Sequence, residues 1–239
     1  MPEISLLIAT RNAHKAGEIR IILGDRFQFL TLNDFPEAPK VIEDAPTFAG
    51  NATKKAVELA KWLADVPGSK FKVQASKLFV LADDSGLEVD VLNGAPGVHS
   101  ARFAAPDSAK SGNTADADNN AKLLRLLKDV PAEKRTARFY CVIALVGVPE
   151  GRTEVASPVC YADEFEPRTF EGVCEGRIIF APRGRNGFGY DPLFVPVGFE
   201  QTFAELGEDV KNKLSHRAKA LVKLKAFFLT TKQQNNEDS

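Results

Sequence analysis

Three cysteines among 239 residues, Cys141, Cys160 and Cys174, are too few and too scattered to organise a fold or a metal centre. They are odd in number and show no CxxC spacing, so neither a zinc site nor a disulfide framework is indicated, and buried free thiols in a reducing setting are expected. An excess of charge of either sign is also missing. A formal net charge of −1 leaves no overall basic field, which argues against nonspecific nucleic-acid binding as the main role. No apolar run approaches the length needed to cross a bilayer, and the opening Met-Pro-Glu-Ile-Ser-Leu lacks the basic and apolar regions of a secretion signal. The expectation is a soluble, cytoplasmic protein with neither a membrane nor a nucleic acid as partner. No internal repeat is evident, and the near-average apolar and charged content is that of a globular chain able to bury a core.

What the chain does have is Leu81-Ala-Asp-Asp-Ser-Gly86, which follows the apolar stretch 78–80 and reads as a strand end carrying two adjacent carboxylates and a hydroxyl. Asp83 and Asp84 repel each other in a partly buried cleft unless a cation or a proton offsets the charge, and a hard divalent ion on oxygen ligands is the usual companion of phosphate chemistry. Taken alone, the segment is equally a strand followed by an Asx-type turn closed by Gly86.

Near the N-terminus an apolar strand, 4–9, runs into the polar loop Thr10-Arg-Asn-Ala-His-Lys15 and an amphipathic helix. Free N–H groups and the positive dipole end at the helix start, with Thr10, Asn12 and Lys15 beside them, make a phosphate cradle. Without a Walker glycine pattern a P-loop fold is not implied. The plainer reading is a helix capped by Asn12.

Arg183-Gly-Arg-Asn-Gly-Phe-Gly-Tyr-Asp-Pro192 is a glycine-rich loop with an aromatic pair, set between two apolar segments. Gly187 and Gly189 allow unusual backbone angles, Phe188 can stack on a flat ring, and Asp191 can read a base edge or orient a donor. A hairpin with a buried aromatic is the alternative. In Lys211-Asn-Lys-Leu-Ser-His-Arg217, Ser215 is placed to cap the following helix. That leaves His216 and Arg217 in a first turn where cations oppose the dipole, which points to an anion or a substrate group rather than to helix stability.

In order, these segments resemble the non-canonical purine nucleoside triphosphate pyrophosphatases, the inosine and xanthosine triphosphate pyrophosphatase family, along nearly the whole chain. The resemblance is carried by Ala9-Thr-x-Asn-x-x-Lys15, Glu43, Thr47-Phe48, Asn51-Ala52-x-x-Lys55-Ala56, Ala82-Asp-Asp-Ser-Gly-Leu87 and Gly94-Ala-Pro-Gly97. It continues through Ser100-Ala-Arg102, Ala137-Arg-Phe139, Gly187-Phe-Gly-Tyr-Asp-Pro192 and Ser215-His-Arg217. No one of them is decisive; collinear, they are specific.

The resemblance implies hydrolysis of purine nucleoside triphosphates such as ITP, dITP and XTP to nucleoside monophosphate and pyrophosphate, with Mg2+ as the metal. It implies that Asp84 is the base that prepares the attacking water, that Glu43, Asp83 and Asp84 hold the metal, and that Lys55 adds charge near the phosphates. Thr10, Arg11, Asn12, Ala13, His14 and Lys15 would hold phosphate, and Ser85 and Lys211 would contact substrate. Phe188, Gly189, Tyr190 and Asp191, with His216 and Arg217, would form the base pocket. A pocket of donors such as Arg217 suits a 6-oxo purine and refuses the 6-amino group of adenine, whereas guanine must be refused in some other way. Two departures stand out: Gly50 where relatives often carry glutamate, and Arg11 where many carry glycine. Glycine inside a helix weakens it by about 1 kcal/mol relative to alanine. Two readings rival this one: a nucleotide-binding module without turnover, and a pyrophosphatase for modified pyrimidine triphosphates.

Strands are expected near 4–9, 27–31, 78–83, 86–91, 136–148, 153–161, 170–180 and 192–195, and helices near 13–23, 47–64, 117–128 and 215–229. Consecutive long strands after residue 136 favour antiparallel pairing, so an α/β fold with a mixed sheet is expected. One domain over 1–229 and a frayed polar tail over 230–239 are expected. The stretches 106–119 and 157–168 read as surface elaborations. The resemblance adds an elongated central sheet with flanking helices, two lobes around a nucleotide cleft, and a homodimer.

Overall fold

The structure, a computed structural model, describes residues 4–66, 77–105, 113–149 and 165–237. Six strands form one mixed sheet in the order β2-β1-β3-β4-β5-β6. β1 (Ile4–Ile8) runs parallel to β2 (Phe27–Thr31), with Ile4 opposite Phe27, and parallel to β3 (Lys77–Val89), with Ile4 opposite Lys77. β4 (Thr136–Val148) lies between β3 and β5 (Arg168–Ile178), and β5 pairs antiparallel with β6 (Phe194–Pro196). Parallel neighbours cannot be joined by a hairpin; α1 (Ala13–Leu23) and α2 (Phe48–Asp65) make the two crossovers. Further α-helices among the described residues are α3 (Asp116–Leu126), α4 (Phe203–Leu206), α5 (Glu208–Leu214) and α6 (His216–Glu237).

The chain divides into two compact units, the first made of 1–84, 142–170 and 221–239, the second of 85–141 and 171–220. In the first, Leu6, Leu7 and Ile8 of β1 are buried, as are Ile19 and Leu23 of α1, Leu59 and Leu63 of α2, and Val80 and Leu81 of β3. Phe228 of α6 adds ring contacts to Phe27 (5.2 Å between centroids) and Phe79 (5.4 Å). The second unit has its own core of Leu87, Leu123, Leu127, Phe139, Leu193, Phe194 and Phe203. The buried Arg135 guanidinium donates to the carbonyls of Leu127, Val130 and Ile179 and lies 3.8 Å from the Phe180 ring centre. A charge taken out of water requires such partners.

The sequence expectation meets the structure at β1, β2, β4 and α1 within a residue. It fails at the expected break between 83 and 86: β3 runs unbroken through Asp83-Asp84-Ser85-Gly86. Gly86 has no positive φ, and burial of Leu81, Ala82, Leu87 and Val89 on both sides keeps the segment in the sheet. α6 continues to Glu237 rather than ending near 229, and the two short helices α4 and α5 were not expected. The expected strand 153–161 lies outside the described residues, as do 106–112 and 157–164 of the two long stretches. Cys141 and Cys174 are buried thiols outside any disulfide, and burial pushes the Cys174 thiol up to about 11, so it stays protonated and unreactive. Among the described residues no helix is long and apolar enough to cross a membrane.

Candidate active site

In the first unit the loop 10–15, expected as a phosphate cradle, grows from the end of β1, where the Ala9 N–H donates to the Leu81 carbonyl of β3 at 2.8 Å. Thr10 Oγ1 accepts from the Asn12 N–H at 3.1 Å. Asn12 Oδ1 in turn accepts from the N–H groups of His14 (2.9 Å) and Lys15 (3.2 Å), so Asn12 is the helix cap expected of it. Arg11, Asn12, Ala13 and His14 are exposed, while Lys15 turns inward and its ammonium meets Asp83 Oδ1 at 2.5 Å.

A second ammonium comes from α2. Lys55 Nζ donates to Glu43 Oε1 at 2.6 Å and to the Asp83 carbonyl at 2.8 Å. Asn51, one turn earlier on the same helix face, donates from Nδ2 to Asp84 Oδ2 at 3.0 Å. Thr47 caps this helix by accepting from the Gly50 N–H at 3.1 Å. Gly50 is thus in the first turn, where the missing side chain leaves room for Ala45: a Cβ at position 50 would lie 2.8 Å from the Ala45 Cβ.

Asp84 is 7% exposed. Burial pushes its carboxyl up to about 6, against the lowering effect of the Lys15 and Lys55 ammoniums and the Asn51 hydrogen bond, with Glu43 adding to the rise. A carboxylate tuned toward neutrality suits a general base, and one whose burial outweighs two nearby cations still favours a third. Glu43 and Asp83, expected as metal ligands, engage Lys55 and Lys15. Among the described residues no group of three or more His, Cys, Asp or Glu is gathered so as to hold a metal by itself.

The second unit holds the other residues singled out. Arg217, 1% exposed in the first turn of α6, donates from a terminal nitrogen to Ser85 Oγ at 3.0 Å. Ser215 caps that turn, its Oγ accepting from the Ala218 N–H at 3.2 Å. His216 stacks on Phe139, with ring centres 4.8 Å apart and planes 12° from parallel. Asp191, expected to read a base edge or orient a donor, holds two donors: its Oδ2 accepts from the Phe188 N–H at 2.9 Å and from Lys211 Nζ at 2.6 Å. Lys211 Nζ also lies 4.3 Å from the Phe188 ring centre, and the Arg217 guanidinium 5.9 Å from it, within cation–π range. The Tyr190 hydroxyl donates to the Ser100 carbonyl at 2.8 Å, and burial, with Asp116 nearby, raises its pKa.

Sequence reasoning gathered most of these groups but overlooked the residues that aim them. Asn51 and Ser100 were recognised only as parts of motifs. Asp116 and Asn120 of α3, whose side chains bond to Gly189, carried no signal beyond an i, i+4 spacing that suits any helix face.

A mixed α/β sheet that presents adjacent buried carboxylates to lysines from a loop and a crossover helix defines a protein equipped for phosphate chemistry. The chain belongs to the Ham1 family, whose family model matches residues 6–227. It is 43% identical over 220 residues to the dITP/XTP pyrophosphatase of Shouchella clausii, covering 92% of this chain and 94% of that protein. To the dITP/XTP pyrophosphatase of Geobacter sulfurreducens it is 45% identical over 221 residues, covering 92% and 94%. Among solved structures it is similar to a HAM1 protein from Coxiella burnetii, with a TM-score of 0.74, 34% identity and coverage of 95% and 99%. A structure titled nucleoside-triphosphatase / dITP/XTP pyrophosphatase from Mycobacterium abscessus gives a TM-score of 0.66, 38% identity and coverage of 92% and 98%.

Proposed function

We propose that this chain is a nucleoside triphosphate pyrophosphatase that hydrolyses dITP, ITP and XTP to the nucleoside monophosphate and pyrophosphate, removing them from the nucleotide pool. The observation that carries the chemistry is Asp84, a buried carboxyl pushed up to about 6 beside Lys15 and Lys55. The relatives' names supply the substrate class. Asp84 accepts a proton from water as the water oxygen bonds to the α phosphorus and the α–β anhydride breaks. Lys15, Lys55 and the N–H groups at the start of α1 hold the charged oxygens of the triphosphate and of the departing pyrophosphate.

Mg2+ fits the donors present. Asp83 and Asp84 are hard oxygen ligands, and Mg2+ usually takes one or two carboxylates and completes its shell with water and substrate phosphate, so a cage of three protein ligands is not required. Glu43 is the further candidate ligand. When bound, the ion supplies positive charge to the phosphate oxygens and offsets the cost of ionising Asp84.

On the base side, Phe188 stacks on the purine and Arg217 donates to its 6-oxo group, with His216, Lys211, Ser85 and the 189–191 backbone completing the pocket. Adenine presents a donor where Arg217 needs an acceptor, and a buried donor left unpaired is costly. We further propose a homodimer in the cytoplasm, on the family resemblance, with no nucleic-acid partner, on the near-zero net charge.

The test is pyrophosphate release from inosine, deoxyinosine, xanthosine, guanosine and adenosine triphosphates, with and without Mg2+. Release from the first three, with monophosphate as the only nucleotide product, is expected. Inosine diphosphate with orthophosphate would mean a stepwise phosphatase, and binding without release would mean a sensing module.

A further inference from the structure

Gly189, between Phe188 and Tyr190, is gripped at both of its peptide groups by a single helix. Its N–H donates to Asp116 Oδ2 at 2.6 Å, and its carbonyl accepts from Asn120 Nδ2 at 3.0 Å. Asp116 and Asn120 stand four positions apart on α3 and therefore on one face of it. The grip is directional, because an acceptor must meet the N–H and a donor the carbonyl. Asn120 Oδ1 is buried without a hydrogen-bond partner, a penalty that this amide carries while donating to Gly189. The reversed amide would set oxygen against the Gly189 carbonyl, which is worse.

Gly189 sits at φ +62°, a conformation with few intrinsic preferences to hold it in place. Around it, the Phe188 N–H is fixed by Asp191 and the Tyr190 hydroxyl by the Ser100 carbonyl. Phe188 thus sits in a backbone anchored on either side of its ring, at its own N–H and at Gly189.

We infer that Asp116 and Asn120 are positioning residues for base recognition: by fixing the Gly189 peptides, α3 holds the Phe188 ring where a purine stacks. The inference rests on the pyrophosphatase reading of this site. The consequence is a split between the two ends of the substrate. Loosening the grip should weaken the hold on the purine and leave the hold on the phosphates as it was.

The experiment measures kcat and KM for ITP, and competitive inhibition by inorganic tripolyphosphate, which has no base, in Asn120→Ala, Asn120→Asp, Asp116→Ala and Asp116→Asn. Loss of one such hydrogen bond should raise KM about fivefold to thirtyfold in Asn120→Ala and Asp116→Ala, with kcat within about twofold. Asn120→Asp should be worse than Asn120→Ala, since a carboxylate would face a carbonyl. Asp116→Asn, which keeps an acceptor, should stay near the wild type. The tripolyphosphate inhibition constant should not move in any of them. An unchanged KM in both alanine variants, or a tripolyphosphate constant that rises in step with KM, overturns the inference. If Asn120→Asp does not fold, the Asp116→Ala and Asp116→Asn pair makes the same comparison. A wild-type protein that releases no pyrophosphate from any purine triphosphate defeats the pyrophosphatase reading instead, and that is seen before any variant is made.

Discussion

Asn51 donates to the Asp84 carboxylate at 3.0 Å while its own carbonyl oxygen accepts from the Ala45 N–H at 2.8 Å. Both ends of the amide are in use, so the group that aims Asp84 is itself fixed. Gly50 makes this possible, since any Cβ there would press on Ala45 and push away the backbone that Asn51 holds. Gly50 is therefore matched to the close approach of residue 45.

Asp84→Asn should abolish turnover while ITP binding persists, because the proton acceptor is lost and the pocket is not emptied. Asn51→Ala should leave the base present but unaimed, lowering kcat by ~10–100-fold, the usual effect of removing a partner that orients a reactive ligand, with KM little changed. Steady-state kinetics with ITP and calorimetric binding to the Asp84→Asn protein measure both. Wild-type kcat in Asp84→Asn would remove this residue from the chemistry.

Protonation gives a second handle on the same group. Burial pushes the folded carboxyl up to about 6 from its ordinary 3.8, so its stabilising contribution is fully present below the lower value and is lost as pH rises through the higher one. In the presence of a chelator, Asp84→Asn should exceed the wild type in unfolding free energy at pH 8 by on the order of 2–3 kcal/mol, with the gap closing near pH 4. Activity with Mg2+ should run the opposite way, rising with pH as the base ionises, and because the bound ion favours the carboxylate that rise should fall below about 6. Denaturant melts at the two pH values check the first statement and a pH profile of kcat/KM the second.

The Asp191–Lys211 pair is buried on both sides, with side chains 2% and 4% exposed. Removing one member strands the other's charge, so Lys211→Met should destabilise the protein by ~3–5 kcal/mol. Adding Asp191→Asn should recover most of that loss, because an amide oxygen at 191 still accepts from the Phe188 N–H and no charge remains. A double-mutant cycle in urea measures the coupling. Additive losses would mean that the pair does not act as a unit.

Gly172 of β5 lies against the start of α6. A Cβ there would overlap the His216 carbonyl and come within 2.6 Å of the Ala220 nitrogen, and these are backbone atoms that cannot rotate aside. Gly172→Ala should therefore displace the turn that carries His216 and Arg217, destabilising the protein by ~1–3 kcal/mol and lowering the preference for inosine over adenosine triphosphate. Unfolding midpoints and kcat/KM for the two nucleotides read the two effects.

Much of this was legible in sequence where the cause is local. The apolar runs of β1 and β4 and the caps at Asn12 and Ser215 act over a few residues, and their elements stand where expected. The capping-box spacing Thr202-x-x-Glu205 that opens α4 was present as well and was passed over. What sequence hid is pairing across distance. Asp83 and Asp84 looked like a strand end because Gly86 suggested a turn, yet burial on both sides holds them within β3. Sequence left Asp191 to read a base edge or orient a donor, and nothing local marks Lys211, twenty positions on, as the donor it meets. The α3 grip on Gly189 spans an even longer separation, 73 positions from Asp116.

Base choice separates Phe188 from Arg217. If Phe188 stacks on the ring, Phe188→Ala should weaken every purine substrate by ~1–3 kcal/mol with little change in ranking, since stacking is tolerant of base identity. Arg217 is 1% exposed, donates to Ser85 Oγ and lies 5.9 Å from the Phe188 ring centre, so a buried donor stands beside the ring that would stack on the base. Arg217→Ala should therefore cut the preference for inosine over adenosine triphosphate, because discrimination depends on a buried donor that adenine cannot satisfy. The two variants differ in kind: one lowers both kcat/KM values together, the other brings them closer to each other. An Arg217→Ala enzyme that keeps the wild-type ratio would move the choice of base to the backbone groups of the 187–191 loop.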